Sequence, residues 1–293
     1  MAETNTATVE QSHARKRSLI GFLRFSRAGA IGAFLLSAIV FIAVFAPVMA
    51  PHDPRDTNAR NRLQPPSQEH WLGTDALGRD VLSRAMWGAR VSVQIGLGGA
   101  ALGLLLGAWL GIVAAYRGGW IEALLMRSVD VMMAFPLLLL AIIFIAFIGS
   151  GIYNLIIVVA LSRAPIYARI THSTTLSLRE RDFVVASEAL GASTNRIYAR
   201  HLGPNLLAPL IVAVTLDVAT IILIESTLTF LGLGVPPPTP TWGAMINEGR
   251  QILTRAPWVA NTAGLAIVLS VVSLNLMGDG LRDYLDPRLR HQQ

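Results

Sequence analysis

Nucleotide hydrolysis, metal-assisted hydrolysis and nucleophilic catalysis each need particular residues at particular spacings, and this sequence of 293 residues offers none of those patterns. A phosphate-binding loop needs G-x-x-x-x-G-K-[ST], whose lysine reaches the phosphates. Lys16 is the only lysine, in Ala14-Arg15-Lys16-Arg17, with no glycine ahead of it. Any coupling to ATP must come from another polypeptide. The six histidines, His13, His52, His70, His172, His201 and His291, include no i, i+4 pair and no H-E-x-x-H. No zinc-hydrolase motif is present, and singly placed histidines read as interfacial hydrogen-bonding groups. G-x-S-x-G is absent. With no cysteine there is no disulfide, thiolate metal site or cysteine nucleophile. The expectation is a chain that binds no metal or cofactor of its own.

What remains is a set of isolated polar residues in apolar surroundings: Asp130, Arg163, Asp217 and Asn275, with Glu225 near the outer end of a run. Ionisable groups in lipid are costly and face a cavity or a partner. Asp217 is nearest mid-span. It reads either as a pathway or subunit-interface residue, or as a structural hydrogen bond to a neighbouring helix. Glu225 is placed to contact an external partner or the external loop.

The elements that must position these residues are membrane helices. The chain is 53% hydrophobic and 14% charged, with mean hydropathy +0.53, against about 25% charged in soluble domains. Six apolar runs occur, at residues 29–50, 91–116, 129–149, 152–168, 206–224 and 259–278. A span needs about 20 apolar residues, and backbone amides in lipid must pair within their own segment. The first run is longer than the roughly 7–15 residues of a signal h-region, so it reads as a retained anchor. The fold class expected is an all-α integral membrane protein with six transmembrane helices. Its parts are a 1–28 N-terminal segment, a 29–50 first span, a 51–90 external loop, a 91–278 core and a 279–293 tail. Arginines cluster before the first run, in 171–204 and in the tail, which puts both termini in the cytoplasm. The loop 51–90 weakens this bias, with six arginines against five acids. Gly99, Gly103, Gly107 and Gly111 recur at spacing four, nearly one helical turn, and line one face. They read as a close-packing seam, with a substrate-facing groove as the alternative. Trp71, Trp242 and Trp258 read either as interfacial belt anchors or as partner contacts.

The segment 171–204 carries the most information. Residues 178–190 show helical spacing through Phe183, Val184, Ala186, Ala189 and Leu190, and Gly191 ends the pattern. Ser193 is placed to cap a second short helix with Ile197, Tyr198 and Leu202, which Pro204 stops. Periodicity alone leaves two readings: a helix pair presented to a partner's groove, or one resting on headgroups.

The stretch Phe183-Val184-Val185-Ala186-Ser187-Glu188-Ala189-Leu190-Gly191-Ala192-Ser193, followed by Arg200-His201-Leu202-Gly203-Pro204-Asn205, resembles the cytoplasmic signature of ABC importer permeases. His70-Trp71-Leu72-Gly73-Thr74-Asp75, Gly78-Arg79-Asp80-Val81-Leu82-Ser83-Arg84, Phe230-Leu231-Gly232-Leu233-Gly234-Val235-Pro236 and Gly278-Asp279-Gly280-Leu281-Arg282-Asp283 narrow the likeness. It is to the second permease of dipeptide/oligopeptide (and nickel) importers. The resemblance spans roughly residues 20–290. It implies a type I importer permease fold with cytoplasmic coupling helices. The implied partners are a homologous second permease, two ABC ATPase subunits holding ATP and Mg, a periplasmic substrate-binding protein and membrane lipid; no nucleic acid is implied. The ATPase-docking segment would comprise Arg181, Asp182, Phe183, Val184, Val185, Ala186, Ser187, Glu188, Ala189, Leu190, Gly191 and Ile197. The family's usual Glu-Ala-Ala stands here as Val185, Ala186 and Ser187, so its leading glutamate is not carried over; Glu188 lies one turn later. A lever role follows: ATPase closure moves the docked helix and tilts the bundle. The rival reading is an ion-coupled secondary transporter or channel acting alone. It predicts paired intramembrane acids and inverted repeats, and neither is evident.

Overall fold

A computed structural model describes residues 26–285, without the side chains of Thr194, Asn195 and Ala199. Arg15, Lys16, Arg17, Arg24, Arg288 and Arg290 of the expected terminal clusters lie outside the described residues. Helix α1, Arg27–Met49, starts where the Ser26 hydroxyl accepts from Gly29 N–H at 3.0 Å. Helix α2, Val81–Arg117, begins well before the expected 91, capped by Asp80, whose carboxylate accepts from Ser83 N–H at 2.7 Å. Part of the expected external loop is therefore helix. Arg84 and Arg90 hid that extension, because an arginine ahead of an apolar run reads as a flank.

The third apolar run is not one straight span. It divides into α3, Gly119–Ala134, and α4, Leu137–Ile148, bent by 102°. Pro136 has no N–H to donate, and it drives Phe135 into extended backbone at φ −84°, ψ 140°. Helix α5, Ile152–Arg179, runs through Pro165 and beyond the expected end at residue 168. Most of its apolar window is buried, so neighbouring helices hold this segment despite Arg163 and Pro165.

The expected helix over 178–190 breaks at Arg181, in extended backbone, and resumes as α6, Asp182–Ala189. Helix α7, Thr194–Ile197, then runs through a π-turn, Tyr198–Leu202, into α8, Gly203–Phe230. Pro204 therefore does not stop the helix. It cannot donate to the carbonyl four residues back, and the preceding turn widens, with Gly203 N–H bonding Tyr198 O. Helices α9, Trp242–Gln251, and α10, Pro257–Leu285, complete the described chain.

Among the described residues five helices are long and apolar enough to cross a membrane, or six spans if the bent α3–α4 pair is one. No strand occurs among them. Helix α2 is central. Its glycine ladder packs on α5: a Cβ on Gly103 would meet Ala160 O at 3.1 Å, one on Gly107 would meet Ala164 O at 2.3 Å, and one on Gly111 would meet Ala168 O at 2.5 Å. Gly99 meets Val159 in the same way, at 3.2 Å. The ladder is thus a backbone-to-backbone seam, not a groove. Around it Ile95, Leu155, Val158, Val159, Ile221 and Leu228 form the apolar core. Helix α10 closes on α1, where a Cβ on Gly32 would meet Met277 N at 2.5 Å.

Candidate functional site

The elbow between α5 and α8 is built on three inward side chains. Val184, Ile197 and Leu202 are buried together, with Leu178, Ala192 and Tyr198 against them. One side chain per turn suffices to fold α6 back, because Gly191 takes φ +79° and turns the chain at the end of α6. That conformation strains any residue with a Cβ. The turn closes with Gly191 N–H to Glu188 O at 2.9 Å and Ala192 N–H to Ser187 O at 3.0 Å. Arg179 ties the elbow's root to α2 through a 2.9 Å bond to Ala115 O, and Tyr116 meets Tyr198 edge to face at 5.5 Å. Burial raises the Tyr198 phenol above its ordinary value, against the opposing pull of Arg179, so it stays protonated at neutral pH.

The sequence-predicted docking residues fall into two sets. Arg181, Asp182, Phe183, Val185, Ala186, Glu188, Ala189 and Leu190 are exposed, and Ser187 is half-buried. Val184 and Ile197 face inward, which corrects their expected place in a docking face: they hold the elbow together. The surface left outward mixes the charges of Arg181, Asp182 and Glu188 with large apolar side chains, Phe183 being 43% and Leu190 88% exposed.

Three acidic residues of the membrane helices, Asp217, Asp130 and Glu122, face basic partners. Asp217 of α8 accepts from Arg163 Nε at 2.9 Å and from the Tyr167 hydroxyl at 2.6 Å, both on α5. It lines a cavity of about 200 Å³ with these two and Thr220. Asp130 of α3 pairs with Arg169 of α5, and beside them His172 Nε2 lies 2.7 Å from Glu122 Oε1. These four line a cavity of about 380 Å³ with Arg127. The Glu122–His172 contact has no sequence signal, since the two are far apart in the chain. Asn275 is exposed on α10 and joins neither group.

Glu225 is wholly buried, which overturns its expected external contact. It accepts from Ser92 at 3.0 Å, Thr229 at 3.0 Å and Ser226 at 3.4 Å. Helix α8 carries it past residue 224, where the apolar run ends. The loop between α1 and α2 is instead latched to α9, and of the residues that do so only Glu248 carried no signal in the sequence. Asp75 accepts from Arg79 at 2.6 Å and from Arg84, and Glu248 of α9 accepts from the same two arginines at 2.6 and 2.7 Å. Trp242 donates to Ala85 O and Trp258 to Thr74 O, each at 3.0 Å. Both indoles fasten the fold internally, Trp242 buried and Trp258 half-buried, while Trp71 is exposed.

This arrangement has known counterparts. A family model described as the inner membrane component of binding-protein-dependent transport systems matches residues 103–291, and one described as the N-terminal TM domain of oligopeptide transport permease C matches residues 22–66. The chain is 42% identical to the dipeptide transport system permease protein DppC of Alkalihalophilus pseudofirmus, over 92% of this chain and 88% of that one. It is 45% identical to the di/tripeptide permease DppC of Pseudomonas aeruginosa, over 90% and 89%. Against the glutathione permease GsiD of Pectobacterium atrosepticum it is 40% identical, over 92% and 89%. Among solved structures, a chain of the inward-facing MetNI methionine ABC transporter superposes with TM-score 0.59 at 19% identity, covering 70% of this chain and 96% of that one. The fold is therefore that of a type I importer permease, and with two family models and these relatives along its length, the chain belongs to the binding-protein-dependent transport inner-membrane components, in their DppC/OppC-like branch.

Proposed function

We propose that this chain is the second permease subunit of an ATP-driven importer that carries peptides or a related small solute from a periplasmic binding protein across the inner membrane. Names of relatives at 40–45% identity support the solute class. A homologous permease completes the pathway, two ATPase subunits hold ATP and Mg, and both termini face the cytoplasm. This chain itself catalyses nothing. The observation that carries the reading is the elbow, which is held rigid by its own buried trio yet presents Phe183, Val185 and Leu190 outward. A rigid α6 seated in an ATPase groove transmits closure of the ATPase pair to α5 and α8. The two bundle states need differ by only a few kcal/mol for nucleotide to reverse their populations.

Co-purification in mild detergent tests this. The wild type brings the ATPase subunits with it, and Phe183→Asp loses them while its membrane level is unchanged. Transport by the isolated chain, without ATPase, would overturn the reading. Orientation has a direct test, because the chain lacks cysteine. Trp71→Cys should label from outside intact cells and Ser193→Cys only after permeabilisation.

A further inference from the structure

The loop joining α1 to α2 brings two imidazoles and a carboxylate together, and neither docking nor the spans use them. His52 stands just after α1, His70 lies within the loop, and Asp80 caps α2. One ligand atom from each lies within 4.8 Å of the others. His70 Nδ1 is 3.0 Å from Asp80 Oδ1, and His52 Nδ1 is 3.9 Å from the same oxygen. The first separation is a hydrogen bond. The second is too long for one, and His52 Nδ1 is buried with no hydrogen-bond partner. A histidine–aspartate bond alone thus leaves one ring nitrogen aimed at the carboxylate and unsatisfied.

We propose that His52, His70 and Asp80 bind a divalent transition-metal ion of the Zn²⁺ class. Metal–donor bonds of about 2.0–2.2 Å place the ligand atoms of a tetrahedral site about 3.3 Å apart, between the two separations observed. Nitrogen and carboxylate donors suit Zn²⁺ and its neighbours, not Ca²⁺ or Mg²⁺. The supports around the ligands fit as well. Asp80 Oδ2 is held by Ser83 N–H at 2.7 Å and the Ser83 hydroxyl at 2.8 Å, which leaves Oδ1 to turn toward the rings. His52 N–H donates to the same Ser83 hydroxyl at 3.1 Å. His70 Nε2 lies 3.4 Å from the Asn61 amide. With Nδ1 on a metal, Nε2–H donates there, and an amide flip presents the oxygen. A surface cavity of about 370 Å³, lined by His52, Asp53 and Trp87 among others, opens beside the cluster. It gives an ion an entry path and room for a water as fourth ligand. The bound ion ties the end of α1 to the start of α2, a staple at the outer latch and not a stop on the solute pathway.

The experiment is Zn²⁺ titration of the full-length chain, purified in detergent without a polyhistidine tag and stripped with chelator. Wild type takes up one Zn²⁺ per chain and its melting temperature rises with Zn²⁺. His52→Gln, at the cavity edge, binds at least tenfold more weakly and loses the Zn²⁺-dependent rise, yet melts like stripped wild type in chelator. His70→Gln likewise loses the rise. Stripped wild type that takes up no stoichiometric Zn²⁺, or His52→Gln that binds as tightly as wild type, overturns the proposal. None of these readouts depends on transport or ATPase association, so they stand apart from the importer reading.

Discussion

Asp217 shows what an intramembrane charge does here. Its carboxylate is 4% exposed and is met by Arg163 and Tyr167 from one neighbouring helix. Breaking such a pair leaves an uncompensated charge, at a cost of about 3–5 kcal/mol, whereas replacing both partners with apolar groups is often nearly neutral. Asp217→Ala should therefore lower the melting temperature in detergent sharply, and Arg163→Leu with Asp217→Leu should recover most of the loss. Tyr167→Phe removes one charge-assisted bond, with an expected cost of about 1.5–3 kcal/mol in the same unfolding measurement. Glu225 differs in kind. Three hydroxyls, not a cation, meet it, and the one from Ser92 joins α8 to α2.

At the level of elements, the α2–α5 seam depends on absent side chains. Gly107→Ala would push a methyl into Ala164 O and Tyr167 Cβ, at 2.3 and 2.7 Å. Backbone cannot yield as a side-chain tip can, so overpacking of about 1–3 kcal/mol is expected. Gly264→Ala, on α10 with nothing within 4 Å, is the matched control and should leave the melting temperature unchanged or slightly raised, since alanine favours the helix. The elbow follows a different rule. Val184→Asp puts a charge into its buried trio and should unfold it, seen as protease cleavage between α5 and α8. Leu190→Asp changes a residue 88% exposed and should leave the elbow protease-resistant.

The whole molecule couples these parts. The elbow's root is tied to α2 by Arg179, α2 is packed on α5 through the glycine seam, and Arg79, just before α2, and Arg84, in its first turn, latch this end to α9. In the proposed importer a displacement at α6 would be carried along these helices to α9. Leu190→Asp should thus abolish coupled uptake while the protein stays folded and in the membrane, measured by uptake in vesicles beside a melting curve. Gly191→Pro should do the same by another route, because proline's φ near −65° cannot adopt the +79° of this turn. Normal ATPase association and uptake in both variants would remove the lever.

How much of this was legible in the chain follows from the range of each interaction. Apolar run length, the Gly99–Gly111 ladder and the Gly191 turn are local signals, set by lipid thickness, helical pitch and backbone sterics. They determined the all-α membrane class and the turn at Gly191, and pointed to the seam, while packing decided between seam and groove and set the elbow's helix bounds. The bend at Phe135 was also local, written in Pro136, but a continuous apolar run concealed it. Partners distant in sequence were not legible: Glu248 for Arg79 and Arg84, Glu122 for His172, Ser92 for Glu225, and His70 with Asp80 for His52. Only tertiary packing decided which ionisable groups face one another. A side chain's type states what it needs, while the folded backbone alone determines which group is within 3 Å to supply it.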